Sequence, residues 1–392
     1  ILKPAPETVL TGWVLVNALW DAGVSRELLQ FLPCPDNEIG KSLITDEWTS
    51  AVILTGAYET AQLFRSWKPD LKLFAETSGK NALIISAASD LDLAVSDLVR
   101  SAFGHSGQKC SAASLAIVEA EIYDSEMFRR KLFDAASSLR CGASWDLRSV
   151  VTPLIRPPDE TLLRGLTELD EGEAWLLRPE KIHDCLWTPG IRMGVKPGSW
   201  YHQTECFGPV LGIMRAETLD DAFAIQNSSR FGLTGGIHSL DRRETKRWRK
   251  QVEVGNAYIN RKITGAIVNR QPFGGWKKSA IGPGAKAGGP NYVASLCRWR
   301  AGAIQQGQVN DSTLLDCLFD RLDSLPLSDG ISSALADYEA AWLSHFSQKQ
   351  DPSQIRGEEN TFRYRPASRV VLRIGQDVSG EDLLLSLAAA HL

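Results

Sequence analysis

The chain has no CxxC pair; its seven cysteines, at 34, 110, 141, 185, 206, 297 and 317, are scattered through 392 residues. None lies near a histidine at zinc-finger spacing. The odd count and even spread point to a reducing compartment rather than a disulfide framework, and to no structural zinc. No apolar run reaches the ~18 residues that suggest a bilayer span. Positive charge is not in excess: 43 Lys and Arg against 47 Asp and Glu leave −4, which argues against a general nucleic-acid binder. No GxGxxG follows a strand-like run, so the standard dinucleotide fingerprint is missing. There is no internal repeat or low-complexity tract, and the six histidines share no spacing, so no metal site is expected.

What is present is ordinary globular composition, 43% hydrophobic and 23% charged, enough for two or three domains at ~100–200 residues each. Apolar runs at Ala51–Thr55, Leu71–Ala75, Ala82–Ile85 and Leu115–Val118 read as short buried strands. Helical stretches fall at 8–22 (ending at Gly23), 58–67, 91–102 behind Asp90, and 125–138. Short apolar strands alternating with helices predict a parallel sheet with helices on its faces, an α/β layer of dinucleotide-binding type. Residues 150–210 read as Pro- and Gly-punctuated short strands, and 219–227 and 242–252 as helices. Eight glycines between 255 and 294 predict a turn-rich segment. Beyond 297, Leu314–Leu322 and Leu335–Phe346 carry helical stripes, 362–374 alternates like a strand, and 381–391 reads as a last helix. Ile1–Pro4 resembles the end of a strand, so the chain is expected to be a fragment with structure upstream.

Two residues suggest chemistry. Cys110, in Gly107-Gln108-Lys109-Cys110-Ser111-Ala112, follows a helix and a basic residue, and a thiol attacks only as thiolate, which a nearby Lys or helix N-terminus favours. Its bland reading is a buried inert cysteine. Glu76, in Phe74-Ala75-Glu76-Thr77-Ser78-Gly79-Lys80, ends a strand, where α/β sheets place their clefts. Its bland reading is a solvated or capping carboxylate.

Together, E-T-S-G-K-N and G-Q-K-C-S-A, with Cys110 34 positions after Glu76, resemble the aldehyde dehydrogenase superfamily. Lys3-Pro4-Ala5, Leu54-Thr55-Gly56-Ala57, Thr204–Val210 (TECFGPV) and Gln271–Gly275 (QPFGG) are similar to that family's K-P-A, F-T-G-S, E-E-I-F-G-P-V and P-F-G-G segments. Gly255–Arg261, Thr264–Val268 and Gln271–Phe273 resemble the L-glutamate γ-semialdehyde (Δ1-pyrroline-5-carboxylate) dehydrogenases. Tyr58–Ala61, Gly104–Cys110, Gly284–Tyr292 and Asn360–Pro366 are similar to the actinobacterial-type bifunctional proline utilisation A (PutA) proteins.

The resemblance implies the aldehyde dehydrogenase fold: a partial NAD-binding layer over 1–82, a catalytic α/β domain over 83–296 and a C-terminal α/β extension over 297–392. It implies NAD-dependent oxidation of L-glutamate γ-semialdehyde to L-glutamate, with Cys110 as nucleophile and Glu76 as base. Lys3, Gly56, Ala57, Glu205 and Phe207 would hold NAD; Lys109, Ser111, Gly265, Ala266 and Phe273 would hold the substrate. Ala57 lacks the family's hydroxyl and offers backbone contact alone. The family's ribose carboxylate falls at Pro6, so NAD over NADP follows from the subfamily and not from this position. Ser78 stands where most of the family has glycine. The family's oxyanion asparagine belongs to a segment preceding K-P-A, so this stretch alone is expected to be poorly active. FAD would belong only to an upstream proline dehydrogenase domain of the same parent chain. A homo-oligomer is expected, and a cytoplasmic place, with peripheral membrane association through the parent left open. The alternatives are a dehydrogenase for another small aldehyde, which need not bind a carboxylate near Arg261 and Thr264–Ala266, or a non-catalytic structural module, which should lack the Cys/Glu pair.

Overall fold

A computed structural model describes residues 1–298, 329–367 and 369–391, which form two compact units. The Leu314–Leu322 stripe and Cys317 lie outside the described residues. Unit one comprises Ile1–Gly265 and Phe273–Asn291; unit two comprises Ala266–Pro272 and Tyr292–Leu392.

Unit one is built on two principal sheets. In the smaller, β1 (Val52–Thr55) runs parallel to β2 (Leu73–Glu76). The larger has seven strands. Its members in chain order are β3 (Asn81–Ile85), β4 (Ala113–Glu119), β5 (Ala174–Leu177), β8 (Gly190–Met193), β9 (Val210–Ala216), β11 (Thr234–His238) and β12 (Asn256–Ile259); in space they run β12-β11-β3-β4-β9-β8-β5. All neighbours are parallel except β5 against β8. Two ribbons, β6 (Lys181–His183) with β7 (Leu186–Trp187) and β10 (Phe231–Gly232) with β13 (Trp276–Lys277), complete the set, and β14 (Ala280–Ile281) adds antiparallel to β2.

The large sheet is buried on both faces, as its continuous apolar strands require. Along β3 the side chains alternate: Ala82 and Ile84 pack with Leu115, Ile117 and Trp248 on one face, Leu83 and Ile85 with Leu98, Phe128 and Leu132 on the other. The helix between β3 and β4, α4 (Leu91–Phe103), starts at Asp90, whose carboxylate accepts from the Asp92 and Leu93 N–H groups at 3.1 Å. The helix expected over 8–22 spans Val9–Asp21 and stops at Gly23, where φ is +97°.

Two eight-residue helices escaped the sequence reading, as did the single turns Ala120–Tyr123 and Trp200–Gln203. Glu38–Thr45 is capped by Asn37, which accepts from Ile39 N–H at 3.0 Å, and Glu160–Thr167 by Asp159, which accepts from Leu162 N–H at 2.8 Å. The latter interrupts a region read as strands only.

Unit two holds helices Asp329–Ala341 and Gly380–His391, with Ile331, Leu335, Leu384 and Ala388 as a small core, and a π-helical turn at Trp342–Phe346. The strand expected at 362–374 is a correction: Phe362 makes one isolated antiparallel bridge to Gln350, and the rest pairs with no strand among the described residues. Alternation predicts a strand only where a neighbour buries one face, and here Val371 is 82% exposed. Asn360, in the PutA-like N-x-F-R-Y-R-P run, is instead a keystone, bonded to Gln271, Ser353 and Glu358.

Candidate active site

Between β2 and β3 the chain passes from the small sheet to the large one. Glu76 ends β2; the buried run Thr77–Lys80 makes the crossing; Asn81 opens β3. The Cys110 loop, Glu205 and the Gly275 turn all meet this crossing.

Cys110 follows α4 across an unusual turn. His105, Ser106 and Gly107 take φ values of +56°, +55° and +69°. Gly107 is required sterically, since a Cβ would lie 2.1 Å from the Gly208 carbonyl oxygen. The turn is tied down by Ser106, whose hydroxyl accepts from Thr152 N–H at 2.9 Å, and by Gln108, whose Oε1 accepts from Ile155 N–H at 3.0 Å. Beyond the cysteine, the buried Asn81 amide donates to the Cys110 and Ala112 carbonyls at 2.7 and 2.9 Å, while its Oδ1 accepts from Thr234 N–H at 2.9 Å. The Thr234 hydroxyl donates to the Ser111 carbonyl at 3.2 Å. Gly79 allows the close approach: a Cβ there would sit 2.5 Å from the Cys110 carbonyl oxygen.

The sequence reading expected a cationic neighbour to ease ionisation of the thiol. In the structure burial raises the Cys110 pKa, the Glu205 and Glu76 carboxylates raise it further, and the Ser111 and Cys110 N–H groups act against them. Burial first and the two carboxylates after it, rather than Lys109, raise the thiol's pKa. Lys109 is held below its usual range by partial burial and then by the positive charge of Lys262.

Glu76 accepts from Gly275 N–H at 3.1 Å. Burial pushes its carboxyl up to about 7, against the lowering effects of that bond and of Lys286. A base titrating near neutrality suits water activation. Glu205 accepts from Gly79 N–H at 2.8 Å and from the Ser78 hydroxyl; burial still raises its pKa. Phe207 adopts φ +54° with its ring partly exposed, and its carbonyl accepts from Gln108 at 3.4 Å.

Of the residues expected to hold NAD, Gly56 and Ala57 follow β1, an edge strand of the small sheet. Ala57 is the N-cap of helix Tyr58–Trp67 and makes no side-chain cap. A Cβ on Gly56 would meet nothing closer than Leu54 at 3.5 Å, and Lys278 lies over the Tyr58 ring at 4.9 Å. A helix N-terminus whose N-cap residue supplies no side-chain cap, beside an open glycine turn and a lysine, fits a pyrophosphate. The acidic Glu59 in the same first turn works against it. Ser78, the departure from the family pattern, links the two halves: its hydroxyl accepts from Tyr58 N–H at 3.4 Å and donates to Glu205. Lys3 is ion-paired with Asp36 at 2.6 Å, and Glu7 with Arg156 at 3.4 Å.

Of the substrate residues, Ser111 is buried beside the nucleophile, and Phe273 is half-buried and bridged to Ala287. Gly265 takes φ +83°, a left-handed turn where a Cβ would meet the end of the Lys262 side chain at 3.8 Å. Ala266 falls in unit two.

Sequence reasoning missed Asn81, Thr234, Asn256 and Lys286. Asn81 stands in the quoted E-T-S-G-K-N motif and carried a signal: an amide opening an apolar strand must find partners. The others are polar residues brought in by distant strands and a turn. Among the described residues there is no metal-ligand cluster, and no helix is long and apolar enough to cross a membrane.

Residues 1–301 match the aldehyde dehydrogenase family model. The chain belongs to that family. It is 34% identical over 304 residues to the 1-pyrroline-5-carboxylate dehydrogenase of Bacillus subtilis (strain 168), and 33% identical over 305 residues to 1-pyrroline-5-carboxylate dehydrogenase 1 of Halalkalibacterium halodurans. Each alignment covers 75% of this chain and 58% of the relative, so the chain spans under two thirds of the length of these relatives. Among solved structures, proline utilization A (PutA) from Corynebacterium freiburgense superposes with a TM-score of 0.88 at 50% identity, over 93% of this chain and 37% of that one. The 1-pyrroline-5-carboxylate dehydrogenase from Thermus with bound NAD superposes with a TM-score of 0.68 at 31% identity, over 75% and 58%.

Proposed function

We propose that this chain carries the nucleophile and base of an NAD-dependent L-glutamate γ-semialdehyde dehydrogenase, acting in proline catabolism within a PutA-type protein. The observation that supports it most is the convergence of the Cys110 thiol with Glu76 and Glu205 on one crossing between two sheets.

Cys110 attacks the aldehyde carbon as its thiol proton passes to solvent. The Cys110 and Ser111 amides, which already favour sulfur as thiolate, can share the developing negative charge. The resulting thiohemiacetal loses hydride and becomes a thioester. NAD, when bound, supplies the hydride acceptor. Glu76 then takes a proton from water, the hydroxide equivalent adds to the thioester carbon, the C–S bond breaks, and the Cys110 thiolate takes that proton back from Glu76 as L-glutamate leaves. Glu205 would orient the nicotinamide ribose, and the helix beginning at Tyr58 the pyrophosphate.

The substrate's α-carboxylate needs donors remote from Cys110. Gly265 offers such an amide in a left-handed turn, while Lys109 and Ser111, on either side of the nucleophile, would add a positive charge and a hydroxyl nearer the aldehyde. The Ala266 donor that the resemblance implies belongs to unit two. A proline dehydrogenase domain of the same protein would be the source of the semialdehyde; homo-oligomerisation and a cytoplasmic place complete the proposal. The test is NADH formation by the full-length protein with glutamate semialdehyde and with an uncharged aldehyde of equal length. A preference of at least ~10-fold in kcat/KM for the charged substrate is expected, since a hydrogen bond to a charged group is worth ~1.5–3 kcal/mol. Equal use of both would refute the substrate assignment.

A further inference from the structure

Glu76 sits on a support that the reaction scheme above does not use. Gly274 and Gly275, between Phe273 and β13, have no helix or strand of their own. The Gly274 carbonyl presses against Gly255, where a Cβ would lie only 1.7 Å from its oxygen. The Lys286 ammonium closes this contact: it donates to the Gly255 carbonyl, to the Gly274 carbonyl at 3.0 Å and to Asn256 Oδ1 at 3.2 Å. Asn256 Oδ1 in turn accepts from Gly274 N–H at 3.2 Å. The next amide, Gly275 N–H, is the one that holds Glu76.

We infer that Lys286 is a positioning residue for the base Glu76, acting through the Gly274–Gly275 turn and through its charge; this rests on the function proposed above. An ammonium has three N–H groups, and here each has an acceptor, so Lys286 is saturated by the turn and reaches Glu76 electrostatically rather than by a bond. Removing it releases two carbonyls that share one donor, frees the turn that presents Gly275 N–H, and withdraws the nearby positive charge. All three changes act on Glu76. The Cys110 loop is pinned by Asn81 and Thr234, which take no part in this network. Lys286 therefore governs the hydrolytic half-reaction more than hydride transfer.

The experiment is stopped-flow NADH formation by the full-length protein, comparing Lys286→Met, Lys286→Gln and Lys286→Arg with the parent and with Glu76→Gln. Lys286→Met should keep a rapid NADH burst of one equivalent per site while its steady-state rate falls about tenfold; Lys286→Gln should behave likewise if Met impairs folding. Lys286→Arg should recover much of the rate. The Lys286→Met/Glu76→Gln double variant should be no slower than Glu76→Gln alone, because a residue acting through Glu76 adds nothing once Glu76 is gone. Equal loss of burst and steady state in both Met and Gln variants, an unchanged steady state, or additive losses in the double variant would overturn the inference. Absence of NADH formation in the parent itself would instead overturn the proposed function.

Discussion

The two groups that must react together are held in opposite ways. The Cys110 loop is fixed from both sides, by Ser106 and Gln108 before it and by Asn81 and Thr234 after it. Glu76 ends a strand whose backbone is paired on both sides, but its carboxylate leans on one amide of a glycine turn. A nucleophile has to meet one carbon at one angle, which rewards rigidity. A base that takes its proton from a mobile water has to follow it, which rewards a light restraint and a pKa near neutrality.

Several changes would break or sharpen that contrast. Cys110→Ser should reduce NADH formation below detection while NAD binding, followed by fluorescence titration, persists. Glu76→Gln should leave a burst of NADH and slow the following steady state by ~10²-fold or more, the usual range for a lost general base. Normal turnover in either variant would remove that residue from the chemistry. Asn81→Ala should cost ~2–3 kcal/mol in denaturant melts, because it strands buried carbonyls and an amide, and should lower burst amplitude and steady state together. That pattern is the opposite of the one expected for changes at the base.

Gly265→Pro imposes φ near −65° on a residue that sits at +83°. It should raise KM for glutamate semialdehyde by ~10-fold or more, and for an uncharged aldehyde far less. An equal loss on both would make the turn merely structural.

The smallest effect concerns stability. Glu76 has an ordinary pKa of 4.5 and a folded value of about 7, so the folded state binds the extra proton between these values. Its contribution is most favourable below pH 4.5 and is lost as pH rises through 7. Glu76→Gln should therefore raise Tm at pH 8 and change it little at pH 5, a difference that thermal melts at the two pH values measure directly.

Strands β1 to β4 and the α4 helix were legible because their apolar runs are long enough to have one reading and Asp90 marks a start, whereas β9, β11 and β12 went unread. Glu38–Thr45 and Glu160–Thr167 were not, being eight-residue helices whose evidence is chiefly their Asn37 and Asp159 caps. The alternation at 362–374 misled because period-two patterning records amphipathicity, not the presence of a partner strand. At the site, Cys110 and Glu76 stood out through ordered motifs. Their electrostatics did not: the Cys110 pKa is set by Glu205, 95 positions away in the chain, and by burial, neither of which local spacing reveals. Lys286 is 210 positions from Glu76, joined to it by a turn that only folding assembles.

The account's central claim is that substrate carbon is transferred onto Cys110 and released by Glu76. Intact-mass and peptide mass spectrometry of the Glu76→Gln protein, quenched in acid within seconds of mixing with NAD and glutamate semialdehyde, tests it most directly. The account predicts a stoichiometric glutamyl thioester on the peptide containing Cys110, lost on treatment with hydroxylamine and absent from Cys110→Ser. NADH formation with no adduct in the acid-quenched protein, or with the adduct on another cysteine, would contradict it.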